Sequence, residues 1–531
     1  MNIRWKLLVA ILCAAMISIP GLAAEYAFQT SGKVIAIGDI DGEYEELVAL
    51  LKEVNLIDTS LNWVGGNSHL VSLGNLLGET GEGGKVLPLF MKLQRQAIGA
   101  GGKLHIVLGD ADVDALTGNT TLDPESRDWL AQLSIVIKIN DTIYTHGGIS
   151  DGFVGESLES INEMARKELK VINLSAVKAA TDNTRLQNSV LSDKGPIRYR
   201  GTAMCHPYTE SFNTERFLKK AGASQIVIGH VPTGGRVRSR MNGLVVLLDT
   251  GPSEGGPPGA LIEVENEDPY VHYLGSGDKA FIEPEERELS QWLSGMDDQE
   301  VENFLRQSPV VEVKEIGTGI TNPWRVMQLE DGVENSAVFK YVDTHPGIEL
   351  KKYYNAQRSN DSDRYVYEVA AYKLDRMLDL QLVPAAVVST VKGKEGVLQD
   401  WITNAINERD RLEDKIPFDG PCDQQEQYRL RIVFDILIYN EDRNLTNILW
   451  TKENFMMMFI DHTRAFRSTK KRPDQYRTVT IRVSDLLKEK LESLNTGSLT
   501  KELGHYLHPR QIESLLARRD LILREMKSTG L

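Results

Sequence analysis

Between Asn440 and Phe466 the chain reads NEDRNLTNILW, a short polar turn, and then MMMFIDHTRAF. A mostly apolar run, Ile432 to Tyr439, leads into Asp442; Asn447 follows five residues later, and a second apolar run ends in Asp461. Phosphoryl transfer from ATP needs such a set. One carboxylate orients the attacking hydroxyl, and an Asn with a second Asp holds the Mg²⁺ that neutralises the phosphates. Asp442, Asn447 and Asp461 fit those roles in that order. A D-x4-N spacing alone is common in polar loops, so the weight rests on its combination with the apolar strand that ends in Ile-Asp.

The elements that would position these residues lie upstream. Val311 to Gly319 alternates as a strand and enters a glycine pair, Gly317 and Gly319, whose backbone can approach phosphates. The next strand ends in Lys340, an unexpected residue for a buried strand unless it is paired. Arg364 to Leu380 carries helical spacing with Glu368 near its start, and Val387 to Trp401 gives a strand, a turn and a second strand. His462 suits a structural role, Met456 to Met458 core packing, and Val483 to Leu494 and Pro509 to Met526 closing helices. Arg364, Arg464, Arg467, Lys470, Lys471 and Arg472 suit either an acidic substrate or a solvated face.

In this order and spacing the set resembles the kinase-like superfamily. The DRNxxN form is closer to its atypical branches (phosphatidylinositol kinase-like, HipA-like and secretory-pathway kinases) than to ordinary protein kinases. The resemblance implies a two-lobed α+β domain over 310–531 that uses Mg²⁺ and ATP. It further implies that Lys340 pairs with Glu368, that Gly317 and Gly319 cover the nucleotide, and that the segment ending in Trp401 is the hinge. Asp442 would be the catalytic residue, with Asn447 and Asp461 as metal ligands.

The first half carries a second constellation. Runs rich in Val, Ile and Leu at 33–38, 69–74, 103–109, 134–145, 225–229 and 243–249 read as buried strands, with helical spacing at Glu45 to Leu56 and Val86 to Ile98. Nearly every run ends in a polar residue beside glycine: GDIDG, GN, GD, HGG, GH and DTG. Ligands of α/β folds gather beyond the carboxyl ends of the strands, so this rim is a candidate metal or phosphate site. The series resembles the calcineurin-like metallophosphatases, in particular the phosphoprotein-phosphatase type with a Shewanella-like flavour, over roughly 32–276. That resemblance implies metal ligation by Asp39, Asp41, Asn75, Asp110, His146 and His230, and a phosphate contact from Arg200. It also exposes departures. Asp41 replaces a histidine, Asn75 replaces the bridging Asp, LLGET lacks the Asp-Arg pair, and Ala111 stands where the acid–base histidine belongs. A set with three carboxylates and two histidines suits a harder cation such as Mg²⁺, Mn²⁺ or Ca²⁺. Loss of the general acid forfeits roughly 10²–10⁴-fold in rate.

The chain has 531 residues, 41% hydrophobic and 25% charged, as expected of several soluble domains. A net charge of −15 argues against phosphate-neutralising nucleic-acid binding. Arg4 and Lys6, the apolar Leu7 to Ile19 and the small residues Gly21 to Ala24 read as an export signal over 1–24, so the mature protein is expected in a periplasm, a secretory lumen or the medium. Membrane contact is expected only if that segment stays uncleaved. Outside it only Cys205 and Cys422 remain, enough for at most one disulfide. The expected organisation is an α/β metallophosphoesterase-type sandwich over 25–276, a solvated helical linker over 277–309, and the kinase-like domain. Three functions fit: a phosphotransferase acting on a protein, lipid headgroup or small-molecule hydroxyl, a phosphoester hydrolase, or a non-catalytic phospho-ligand scaffold. Export sits uneasily with ATP use.

Overall fold

The computed structural model describes residues 26–78, 83–119, 122–174, 189–285, 296–317, 322–344 and 363–526. The leader and Gly319 lie outside them.

In the first half, apolar β-branched runs make strands buried on both faces. Val34–Ile37, His69–Ser72 and Lys103–Ile106 run parallel, with the helices Tyr44–Glu53 and Gly83–Gly99 as their connections. Gly259–Glu263, Tyr270–Tyr273 and Lys279–Ala280 extend this sheet antiparallel on the other side. A second sheet holds Thr142–Thr145, Gln225–Ile228 and Val245–Leu247 in parallel. Val34, Ala36, Val71 and Val107 of the first sheet pack against Ile137, Tyr144, Val227 and Val246 of the second. The fold is thus an α/β sandwich, and its strands deliver Asp39, Asn75 and Asp110 from one sheet and His146, His230 and Asp249 from the other. The run expected as one strand at 134–145 is a hairpin, Val136–Ile139 and Thr142–Thr145, because Asn140 takes φ 51° and permits a two-residue turn.

The second half is two-lobed. A five-stranded antiparallel sheet holds Val310–Glu315, Trp324–Glu330, Val333–Lys340, Lys394–Asp400 and Ala386–Val391, in that order, and the helix Val366–Met377 packs on it. The larger lobe contains the hairpin Ile448–Thr451/Met457–Phe459 and the helices Gln424–Ile438, Asp485–Ser493, Thr496–Leu503 and Pro509–Glu525. Met457 and Met458 are buried in its core.

The solvated linker expected over 277–309 is corrected. Lys279–Ala280 and Glu283–Pro284 pair into the two sheets of the first half. The helix Asp298–Gln307 buries Val301, Phe304 and Leu305 in the core of the second half. Those residues recur at i, i+3 and i+4, an apolar stripe that the acidic composition of the segment obscures.

The halves are packed together and covalently joined. Cys205, at the end of the short helix Gly201–Met204, is disulfide-bonded to Cys422, just before the helix Gln424–Ile438. Around the bridge, Tyr208 donates to Leu378 O (2.8 Å), Lys194 pairs with Asp423 (3.1 Å) and Asp485 N donates to Glu215 (3.0 Å).

Candidate functional site

The rim of the sandwich brings Asp110, His146 and His230 together, with one ligand atom from each lying within 4.8 Å of the others. His146 directs Nδ1 at Leu73 O (2.7 Å), which leaves Nε2 facing Asp110 Oδ1 at 3.2 Å. His230 Nδ1 lies 3.5 Å from the same oxygen. One carboxylate and two imidazoles at this separation suit a divalent cation. Burial disfavours the charged form of His146, yet Asp39 and Asp110 carry it up to about 9. Burial likewise opposes ionisation of Asp110, and the hydrogen bonds from His146 and His230 outweigh it, holding the carboxyl well below the usual range.

Asp39 backs this cluster. Its Oδ1 lies 3.6 Å from His146 Nδ1 and accepts from His230 N (3.1 Å), while Oδ2 accepts from Asn75 (3.1 Å). Burial pushes this carboxyl upward. The Asn75 amide spends both ends on protein partners, since its oxygen accepts from Ala111 N at 3.0 Å. It fastens Asp39 to the Asp110 loop. A Cβ on Gly109 would lie 2.2 Å from Asn75 Oδ1, so only glycine admits that approach. Asp41 stands apart from the three clustered donors, and its Oδ2 accepts from Ser253 (2.8 Å). Arg200 Nε donates to His230 Nε2 at 3.2 Å, on the cluster's edge. Asp41, Asn75 and His230 take φ of 49, 47 and 65°. For His230 this left-handed backbone stores strain on the order of 1 kcal/mol, the kind that concentrates at functional positions.

Two neighbours, Asp112 and Arg198, escape a reading of the sequence alone, and the DTG strand end adds a third, Asp249. Asp112 accepts from Leu76 N (2.9 Å) and Gly109 N (3.0 Å), lacing the Asn75 and Asp110 loops together, and burial raises it to about 6. Asp249, from the DTG strand end, lies beside Gly38, and burial raises it to about 6 as well. Arg198 reaches Asp110 (3.4 Å) and Asp114 (2.5 Å), bringing a guanidinium to the cluster where the sequence lacks the Asp-Arg pair. Its signal was its place two residues before Arg200.

In the second half the small-lobe strand and helix bring Lys340 and Glu368 into contact, Nζ to Oε1 at 2.5 Å, and Nζ also lies 3.0 Å from Asp461 Oδ1. Burial opposes the charge on Lys340, but Asp461 and Glu368 together raise it above the ordinary lysine value. Burial also opposes the Glu368 carboxylate, and Lys340 and His462 outweigh it, keeping it well below its usual range. Asn447 and Asp461 flank the hairpin in which Ile448 pairs with Phe459, and Arg443 draws their backbones together by donating to Asn447 O (2.8 Å) and Ile460 O (2.6 Å). Asp442 closes the same segment: its carbonyl accepts from Asn447 Nδ2 (2.8 Å) and its Oδ2 from Arg464 (2.9 Å). Gly317 takes φ 71°, as a glycine-rich turn after a strand requires. Lys340, Glu368 and Asp461 are thus in direct contact, and Asp442 and Asn447 are tied to the Ile460–Arg464 segment by Arg443 and Arg464.

With this geometry in view, the chain can be set beside known proteins. No family model matches it. It is 27% identical over 251 residues to Shewanella-like protein phosphatase 1 of Plasmodium berghei, a match covering 42% of this chain and 68% of that protein. Among solved structures it is similar to the cold-active protein-tyrosine phosphatase of a psychrophilic Shewanella species, at 24% identity and a TM-score of 0.43, covering 48% of this chain and 82% of the other. It is also similar to the Golgi casein kinase, at 16% identity and a TM-score of 0.32, covering 44% and 75%. Over part of its length the chain is thus similar in sequence to a protein phosphatase.

Proposed function

We propose that the C-terminal half is an ATP- and Mg²⁺-dependent phosphotransferase, and that the N-terminal half is a divalent-metal phosphoester hydrolase centre of reduced power. The observation that carries the first assignment is Lys340, which touches both Glu368 and Asp461 from a buried strand end. In this reading Lys340 holds nucleotide phosphates, Glu368 fixes Lys340, and Gly317 brings its backbone toward the phosphates. Asn447 and Asp461 hold the cation, whose contribution when bound is to neutralise phosphate charge. Asp442 orients the acceptor hydroxyl of a protein, lipid headgroup or small molecule, and Arg464 steadies its carboxylate.

Asp110, His146 and His230 support the second assignment, with Asp39 behind them and Arg200 and Arg198 positioned to meet a phosphate. The cation there, Mn²⁺ or a similar ion, supplies Lewis acidity when bound. Ala111 offers no proton, which is why the hydrolase is expected to be slow. Export of the chain is part of the proposal. The sequence of residues 1–24 supports it, and so does the Cys205–Cys422 disulfide, since such bonds persist in oxidising compartments. Among the described residues no helix is long and apolar enough to cross a membrane. ADP formation with Mg·ATP tests the kinase assignment: it should be lost in Asp442→Asn and in Asp461→Ala, and retention in both would sink it.

A further inference from the structure

His462 takes no part in the reaction as described, yet it lies at the centre of a buried polar network of the second half. It follows Asp461 directly and is fully buried, as are Glu368 and Asp435. Its backbone N–H donates to Glu368 Oε1 at 3.0 Å, and its ring Nδ1 lies 3.0 Å from Glu368 Oε2. On the far side, ring Nε2 lies 3.2 Å from the Arg443 guanidinium. A carboxylate can only accept and a guanidinium can only donate. The ring must therefore carry its proton on Nδ1 and present a lone pair on Nε2, a single neutral tautomer set by its two partners. Arg443 continues the chain to Asp435 at 2.9 Å, and Tyr476 closes it by donating to Asp435 at 2.8 Å.

We infer that His462 is a positioning residue that holds Glu368, and through it Lys340, in register with the Asp442–Asn447 segment. The inference rests on the kinase reading above. Its physical content is directional. The small-lobe helix Val366–Met377 supplies Glu368, and the large lobe supplies Arg443, whose other bonds fix the backbones of Asn447 and Ile460. The imidazole spans the two with a donor on one edge and an acceptor on the other. Phenylalanine could fill the space but would leave Glu368 Oε2 and an Arg443 N–H buried without these partners. The two lobes are therefore keyed to each other by a polar link at this point, and not by apolar packing alone.

The test is calorimetric titration of Mg·ATP into the full chain, its His462→Phe variant and its His462→Asn variant, well below their melting temperatures. Melting with Mn²⁺ checks that the first half is unchanged. His462→Phe should weaken Mg·ATP binding by ~10-fold or more, because buried polar groups lose their partners. His462→Asn keeps a donor for Glu368 but is too short to reach Arg443, so its loss should be smaller, about 3-fold. A merely structural histidine would lower the melting temperature and leave the affinity of the folded protein untouched. Wild-type affinity in a folded His462→Phe variant overturns the inference while leaving the kinase reading intact. If that variant does not fold, His462→Asn decides by the same measure, with unchanged affinity counting against the inference. Absence of Mg·ATP binding in the wild type would overturn the kinase reading and this inference with it.

Discussion

Replacing Lys340 with Met tests the buried ion pair on which the proposed nucleotide site depends. Glu368 is fully buried, and the change removes the ammonium 2.5 Å from its Oε1. Breaking a buried pair from one side costs about 3–5 kcal/mol, because the surviving charge keeps its desolvation penalty. Glu368 retains two bonds from His462, which places the expected loss near the lower end, about 3 kcal/mol. Glu368→Gln should cost less, because Lys340 keeps Asp461 at 3.0 Å. The double variant removes both charges, so its loss should fall short of the sum of the singles by ~1–3 kcal/mol, the coupling expected of residues in contact. Melting of the whole chain would mix the two halves, so the assay is native-state hydrogen exchange read in the helix Val366–Met377 and the strand Val333–Lys340. A loss of about 3 kcal/mol corresponds to roughly 10²-fold faster exchange there. The sign of the pH dependence follows from both shifts. Glu368 is depressed, so its contribution is present above its ordinary 4.5 and lost only as pH falls through its lower folded value. Lys340 is raised, so its contribution is present below 10.5 and lost as pH rises through its higher folded value. The difference between wild type and variant should therefore be flat from about pH 5 to 10. Unchanged exchange in the single variants, or strictly additive losses, would refute the reasoning.

The remaining predictions concern the first half and its junction with the second. His146→Ala and Asp110→Asn should abolish stabilisation by Mn²⁺ and turnover of an aryl phosphate, whereas Asp41→Asn should affect both far less. Because the metal-free His146 lies at about 9 and must surrender its ligand proton, apparent Mn²⁺ affinity should rise ~10-fold per pH unit from about 6 to 9, measured by calorimetry; an affinity flat in pH would contradict this. Reduction of the disulfide, whose cysteines lie 217 residues apart, should cost up to about 5 kcal/mol on a loop-entropy estimate and speed exchange in the helix Pro207–Ala221. Free thiols at Cys205 and Cys422 before reduction would contradict the bridge.

The parts of the fold legible in the sequence were those written in local periodicity. Runs such as VIAI at 34–37 and the alternation after Val310 announce strands, and the polar groups at their ends announce a rim. Arg200 could be singled out because it stands in a local motif, RYRG. What the sequence hid depends on partners distant along the chain. Asp112 looks like an ordinary helix-start acid until Leu76 N is found 2.9 Å away. Nothing local to His462 reveals Glu368 or Arg443 on either side of its ring. The helical character of Asp298–Gln307 was legible, but its burial was hidden because acidic residues surround a stripe of only three apolar ones. The cysteine count allowed one bridge, but spacing could not say that it joins the two halves.

The central claim is that one chain carries two independent phosphate-handling sites. It is tested most directly by melting the protein with Mg·ATP and, separately, with Mn²⁺ alone, in wild type, His146→Ala and Lys340→Met. A ligand that binds only the native state raises the melting temperature by mass action. Wild type should respond to both, His146→Ala only to Mg·ATP, and Lys340→Met only to Mn²⁺. A wild type indifferent to both ligands, or one variant that abolishes both responses, would contradict it.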